Sequence, residues 1–316
     1  MTERILGTVS YRVVDTRHDG QRLDNFLFAL WRSVPRSHVY RLMRRGEVRV
    51  NGGRAKPTTR LHTGDRVRVP PIRLAQKTTV GVPDKVQREV MAAIIYESDE
   101  FLVLNKPAGL AVHAGSDQPY GIIESLRAAR RENDLDLVHR LDRDTSGCLL
   151  IARTRQGLLQ LQQGIRSGTM KKHYLALLGG HLSQTATVTA ALRKQTMQGG
   201  ESRVVVAVDG KSAHSVFEPL SNHAGFTLAR VTLHSGRTHQ IRVHAQHIGL
   251  PLVGDHKYGQ RSLNAKMKRK GLKRTFLHAS DIEVAGVDGS ELYHAPLAQD
   301  LRQFLDCLEG TLESIE

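Results

Sequence analysis

At 316 residues the chain has room for one large or two modest domains, and 40% hydrophobic residues with only 5% aromatics predict an aliphatic core. Lys and Arg number 46 against 31 Asp and Glu, a formal net charge of +15, which favours a polyanionic partner, nucleic acid ahead of an anionic membrane. Residues 1–11 hold no apolar run of signal-peptide length and no stretch of about 20 apolar residues is present to span a bilayer, so a cytoplasmic protein with no membrane role is expected.

In chain order, Leu23, Phe26, Leu27, Leu30 and Trp31 have the spacing of an amphipathic helix. A second helix is expected after Pro35, with Ser37 as N-cap and Gly46 as stop. Its Arg41, Arg44 and Arg45 share one face, and its apolar residues take the other. EVRVN (47–51) and RVRV (66–69) alternate as half-exposed strands do, and Asn51-Gly52-Gly53 signals a turn. Residues 20–70 hold twelve Lys/Arg and three Asp/Glu, so over half the charge surplus sits in a sixth of the chain. Pro70-Pro71 and the polar stretch behind it predict a linker over 71–90, dividing a basic unit (1–70) from a larger one (91–316).

In the larger unit, FLVLNK (101–106), GCLLIAR (147–153), HYLALL (173–178), RVVVAV (203–208) and FTLARVTLH (226–234) read as strands, with LVHRL (137–141) as one more. Helices are expected over 155–167 and 239–248. Strands outnumber helices without regular alternation, which predicts an α+β fold. The two cysteines lie far apart and give neither a disulfide framework nor a zinc site; Cys148 reads as a buried thiol. AKMKRKGLKR (265–274) reads as a basic surface loop offering extra RNA backbone contact. His239, His244 and His247 cluster, but no acidic ligand stands at a suitable spacing, so no metal is expected.

LVHRLDRDTSGCLLIART (137–154) packs polar and charged residues between two apolar runs, a common way of holding binding and catalytic groups. Arg140 and Arg143 flank Asp142, and nearby cations favour an ionised carboxylate. Those residues alone leave open an ordinary turn with a structural ion pair.

Two resemblances sharpen the reading. GQRLDNFL (20–27), SHVYRLMRRGEVRVNG (37–52) and LHTGDRV (61–67) resemble the S4 RNA-binding domain. That likeness implies a helical pair on a short sheet, with Arg36, Arg41, Arg44, Arg45 and Arg49 as phosphate contacts that position RNA without reading sequence. HRLDRDTSG (139–147), NKPAGLAVH (105–113), KKHYLALL (171–178), SGRTHQIRVHAQHIGLPLVGDHKYG (235–259) and FLHA (276–279) resemble, in order, the motifs of the RluA-type pseudouridine synthases. The resemblance implies a mixed, largely antiparallel sheet with flanking helices, and Asp142 as the essential catalytic residue. It places Arg140 beside the target base, Tyr174 under the uracil and Arg242 in a pair with Asp142. His113 and Arg237 become RNA-side or loop-supporting residues. A monomer acting on 23S ribosomal RNA, with no cofactor, is implied. The alternatives are a non-catalytic RNA-binding assembly factor, and a base-excising hydrolase that would release free uracil.

Overall fold

The computed structural model describes residues 3–6, 8–31, 34–75, 81–115, 118–196, 202–286 and 289–309, in two units, Met1–Val80 and Gly81–Glu316. In the first, the helix Leu23–Leu30 buries Leu23, Phe26 and Leu27, and the helix Arg36–Arg44 buries Val39, Leu42 and Met43. Pro35, not Ser37, holds the N-cap position: its fixed φ (−55°) suits a helix start, and its carbonyl accepts from the N–H groups of His38 and Val39. Gly46, at φ +71°, lets the chain leave the helix. The strands Ser10–Val13, Arg66–Val69, Arg49–Val50 and Gly53–Arg54 make an antiparallel sheet in that order. EVRVN shrinks to two paired residues because Asn51 and Gly52 take positive φ for the turn.

The two units divide at Val80/Gly81, inside the 71–90 stretch expected as a linker, and that stretch also has secondary structure of its own. It carries the strand Ile72–Ala75, paired with Glu3–Leu6, and most of the helix Asp84–Ala92. Ile72 is buried in the first unit's core and Val90 in the second's, so both ends are bound by apolar packing. The prolines separate two strands; residues 76–80 of this stretch lie outside the described residues.

The second unit is built on a ten-stranded mixed sheet among the described residues. Its main path runs Ala186–Val188, Ser215–His223, Phe226–Leu233, Lys171–Leu178, Leu277–Gly286, Ser146–Ala152, Phe101–Lys106, Ile94–Glu97. Gly289–His294 pairs with Leu277–Gly286, and Asp136–Leu137 with Ser146–Ala152. Every pairing is antiparallel except that of Ser146–Ala152 with Leu277–Gly286. The expected strands at 101–106, 147–153, 173–178, 203–208 and 226–234 are present with small shifts of their ends. LVHRL is a strand only at Leu137; beyond it the chain turns off the sheet, and buried Val138 and Leu141 anchor a loop. The fold is α+β, as expected.

Helices Arg155–Ser167 and Gln240–His247 stand where the spacing placed them. Ile122–Arg130 and Gln299–Glu309 were not anticipated. Nor is the basic 265–274 cluster simply a loop: it overlaps the helix Arg261–Arg269, whose Asn264 and Met267 are buried while Lys266, Lys268 and Arg269 face out. Its fully buried residues are one polar and one apolar side chain, sparser than the usual apolar stripe of a surface helix, and that pattern hides in a basic run. Cys148 is buried in the sheet, its thiol donating to the carbonyls of Ser280 and Tyr293, and burial pushes its pKa up to about 12.

Candidate active site

The loop His139–Thr145 leaves the sheet after Asp136–Leu137 and returns as Ser146–Ala152, which lies entirely buried. Three devices fix it. The N–H of Thr145 donates to the carbonyl of Asp142, closing a tight turn. Lys106, fully buried, donates from Nζ to the carbonyls of Pro107, Leu110 and Arg143. Burial pulls its pKa down to about 7, while three accepted protons favour the ammonium form. Arg274, paired with Asp300, donates to the Asp144 carbonyl and to Ser146 Oγ.

At the loop's tip Asp142 looks into a cavity of about 510 Å³, its side chain 27% exposed. Arg242 Nη1 donates to Asp142 Oδ2 at 3.2 Å. The same guanidinium gives Nε and Nη2 to the two oxygens of Asp255, at 2.7 and 2.8 Å. Asp255 is fully buried and also accepts the N–H groups of Lys257 and Tyr258. Burial opposes its charge, but Arg242 and these amides hold its pKa below the usual carboxylate value. Burial likewise opposes the Arg242 charge, and the two carboxylates outweigh it, raising its pKa. The Tyr258 ring lies 5.0 Å from the Arg242 guanidinium, a cation–π contact.

His239 adds a second group. It occupies the left-handed region at φ +55°, directly before the helix that carries Arg242. Its Nε2 stands 3.8 Å from Asp142 Oδ2 and its Nδ1 2.8 Å from the Tyr258 hydroxyl. That hydroxyl already accepts the Val204 N–H, so its own proton goes most economically to Nδ1, leaving the Nε2 proton toward Asp142. Burial depresses the His239 pKa, which keeps the ring neutral. Gln240, buried, ties down the loop before it by accepting from Ser235 Oγ and the Arg237 N–H and donating to the His214 carbonyl and Ser215 Oγ.

Of the residues singled out from sequence, Asp142, Tyr174, Arg242, Arg140 and Arg237 all line this cavity. His113 lies in an adjoining hollow of about 340 Å³ that shares Arg140, Asp142 and Arg242. Tyr174 is buried to 6% exposure, and burial followed by the Asp142 charge raises its pKa, so it stays a phenol. Arg143 pairs with Asp144; the guanidinium that meets Asp142 is Arg242's. In the other unit, Arg36, Arg41, Arg44, Arg45 and Arg49 are all exposed. Arg36 sits over the Phe28 ring, and Arg49 donates to the carbonyls of Gly46 and Gly52. His244 spends both ring nitrogens on Ser215 Oγ and the Ala190 carbonyl. Sequence reasoning gave no role to Asp255, Tyr258 or Lys172 and weighed His239 only as a metal ligand; all four stand inside quoted motifs, but a motif does not say which member faces the carboxylate.

Comparison with known proteins gives the family of the chain. The family model described as RNA pseudouridylate synthase matches residues 100–247, and that of the S4 domain matches residues 21–67. Ribosomal large subunit pseudouridine synthase C of Salmonella typhi is 44% identical over 313 residues, covering 96% of this chain and 98% of that protein. The proteins of that name from Yersinia pestis and Escherichia coli (strain K12) are 46% identical over 292 residues and 43% over 313, covering 90% and 96% of this chain and 91% and 98% of theirs. Among solved structures, human RNA Pseudouridylate Synthase Domain Containing 4 superposes with a TM-score of 0.60 at 21% identity, over 71% of this chain and 96% of that one, a likeness of fold. The chain belongs to the RNA pseudouridylate synthase family, among its RluA-type members that carry an S4 domain.

Proposed function

We propose that this protein isomerises uridines of 23S ribosomal RNA to pseudouridine in the cytoplasm, with Asp142 as the catalytic carboxylate. The observation that carries this reading is a carboxylate at the tip of a rigid loop, open to a cavity of about 510 Å³ and oriented by a guanidinium whose other face is bound to a buried aspartate. The ribosomal RNA substrate is supported by the names of relatives 41–46% identical to this chain, ribosomal large subunit pseudouridine synthases C.

The reaction breaks N1–C1′, turns the uracil and joins C5 to C1′. The C5 proton is lost and N1 gains one, so no redox partner or group donor is required. A carboxylate serves at the anomeric carbon or its neighbour as nucleophile or base. Arg242 fixes the direction of Asp142, and His239 presents an N–H beside it. Tyr174, held as a phenol, offers a ring for the uracil to lie on; a raised pKa fits that role better than taking the C5 proton as phenolate. The base must first leave its stack, at a cost of a few kcal/mol. Arg140, exposed at the cavity wall, is placed to fill the gap. The exposed arginines of the S4-like unit and the basic helix Arg261–Arg269 supply phosphate contacts.

Tritium release from C5-labelled uridine in 23S RNA, without free uracil, tests the proposal. Free uracil would mean a hydrolase, and tight RNA binding with no release would mean an assembly factor.

A further inference from the structure

The cavity wall contains an anomaly. Lys172 and Tyr174 are two residues apart on the strand Lys171–Leu178, so they leave the same face of the sheet, and both line the cavity. Lys172 is only 9% exposed. Among the described residues its Nζ has neither a carboxylate nor a hydrogen-bond acceptor, and burial lowers its pKa with no compensating partner. Lys106, buried more deeply still, instead satisfies three carbonyls. Burying a lone cation is costly, and a methionine of similar shape would avoid that cost, so the fold gains nothing from the amine.

The surroundings say what would gain. Arg140, Arg166, Lys172, Arg237 and Arg242 line the cavity against one carboxylate, Asp142, which Arg242 already engages. A Cβ placed on Gly236 would stand 3.4 Å from Lys172 Nζ and meet nothing else within 4 Å, so the glycine leaves open space in front of the amine.

We infer that Lys172 is a substrate-binding residue whose ammonium receives an anionic oxygen of the target nucleotide. This rests on the reading of the cavity as the uridine site. Two oxygens have that chemistry. One is a phosphate oxygen flanking the uridine. The other is a uracil carbonyl oxygen, which takes on negative charge when N1–C1′ breaks and the bonding pair stays with the base. A fixed cation at a developing charge is worth most in such a water-poor site.

The test uses the full chain and 23S RNA carrying C5-tritiated uridine. If the oxygen is a phosphate's, Lys172→Met weakens RNA binding about tenfold and lowers the salt slope of binding by about 0.7–0.9, with the single-turnover rate at saturating RNA kept. If it is the uracil's, affinity holds and that rate falls by about 10²-fold or more. In both cases the variant melts no lower than wild type, because an uncompensated buried charge has been removed. Gly236→Val, which fills the space and leaves the lysine in place, should reproduce the loss. Wild-type affinity and rate in Lys172→Met overturn the inference. So do wild-type affinity and rate in Gly236→Val, even if the lysine variant fails to fold. A wild-type protein that releases no tritium defeats the parent reading instead, and the affinity arm still scores Lys172.

Discussion

Arg242 is bound more firmly to Asp255 than to Asp142: two contacts of 2.7 and 2.8 Å fix it to the buried aspartate, and one of 3.2 Å reaches the cavity. Asp255 therefore sets the angle from which Asp142 is held, with no exposure to the cavity of its own. Asp255→Asn removes the charge and keeps the shape. Losing one partner of a buried pair costs about 3–5 kcal/mol, so urea denaturation should show a loss of that order. Catalysis should fall as well, with RNA affinity little changed. A variant as stable and as active as wild type would remove Asp255 from the site.

Asp142→Ala should bind RNA and make no pseudouridine, and Asp142→Asn should lose a factor of about 10²–10⁴ or more in rate. Filter binding and tritium release measure the two halves separately. Normal modification by either variant would sink the assignment of Asp142.

The catalytic unit should lose stability as pH falls below neutral. His278 is fully buried, its Nε2–H donating to the Ala295 carbonyl and its Nδ1 accepting from Ser146 Oγ. His139 accepts the Leu150 N–H at Nε2. Burial depresses both pKa values, that of His139 to about 3. Below an unfolded histidine pKa of about 6.5 the unfolded chain takes up protons that the native one refuses. Stability is thus full above that value and is lost as pH drops toward the folded pKa, by at most about 1.36 kcal/mol per pH unit for each histidine. Urea midpoints at pH 7 and pH 5 check this; a flat profile contradicts it, and His278→Gln should be shallower than wild type.

Replacing Lys266, Lys268 and Arg269 by glutamine should weaken RNA binding in a salt-dependent way. These side chains face out from a helix pinned by Asn264, which accepts the Gly254 N–H and donates to the Asp255 carbonyl. Loss of three phosphate contacts should flatten the plot of log K against log salt by about 2–3. An unchanged slope would mean that the helix is merely solvated.

Much of this was readable in the chain. Strands such as Phe101–Lys106 and Phe226–Leu233 announce themselves because alternation and apolar runs are local signals. The helix Arg261–Arg269 was missed because two buried side chains in nine residues give little periodicity. In the site, Asp142, Tyr174 and Arg242 followed from motif likeness, and the structure brings them to one cavity. Asp255 and His239 were missed for another reason. Their roles depend on contacts across 13 and 97 residues, Asp255 to Arg242 and His239 to Asp142, and on a left-handed backbone at His239 that sequence does not announce.

Gly147 carries a last consequence. At φ +107° it is the second residue of the strand that follows the loop and pairs in parallel with Ala279, and a Cβ there would collide with the Ala279 carbonyl. The strand that leaves the Asp142 loop is thus joined to Leu277–Gly286 by main chain lying against main chain, with no room for a side chain at Gly147. Such a joint does not soften by degrees. On heating, activity should persist up to the unfolding transition and vanish with it, so the thermal inactivation and melting curves of this protein should overlay.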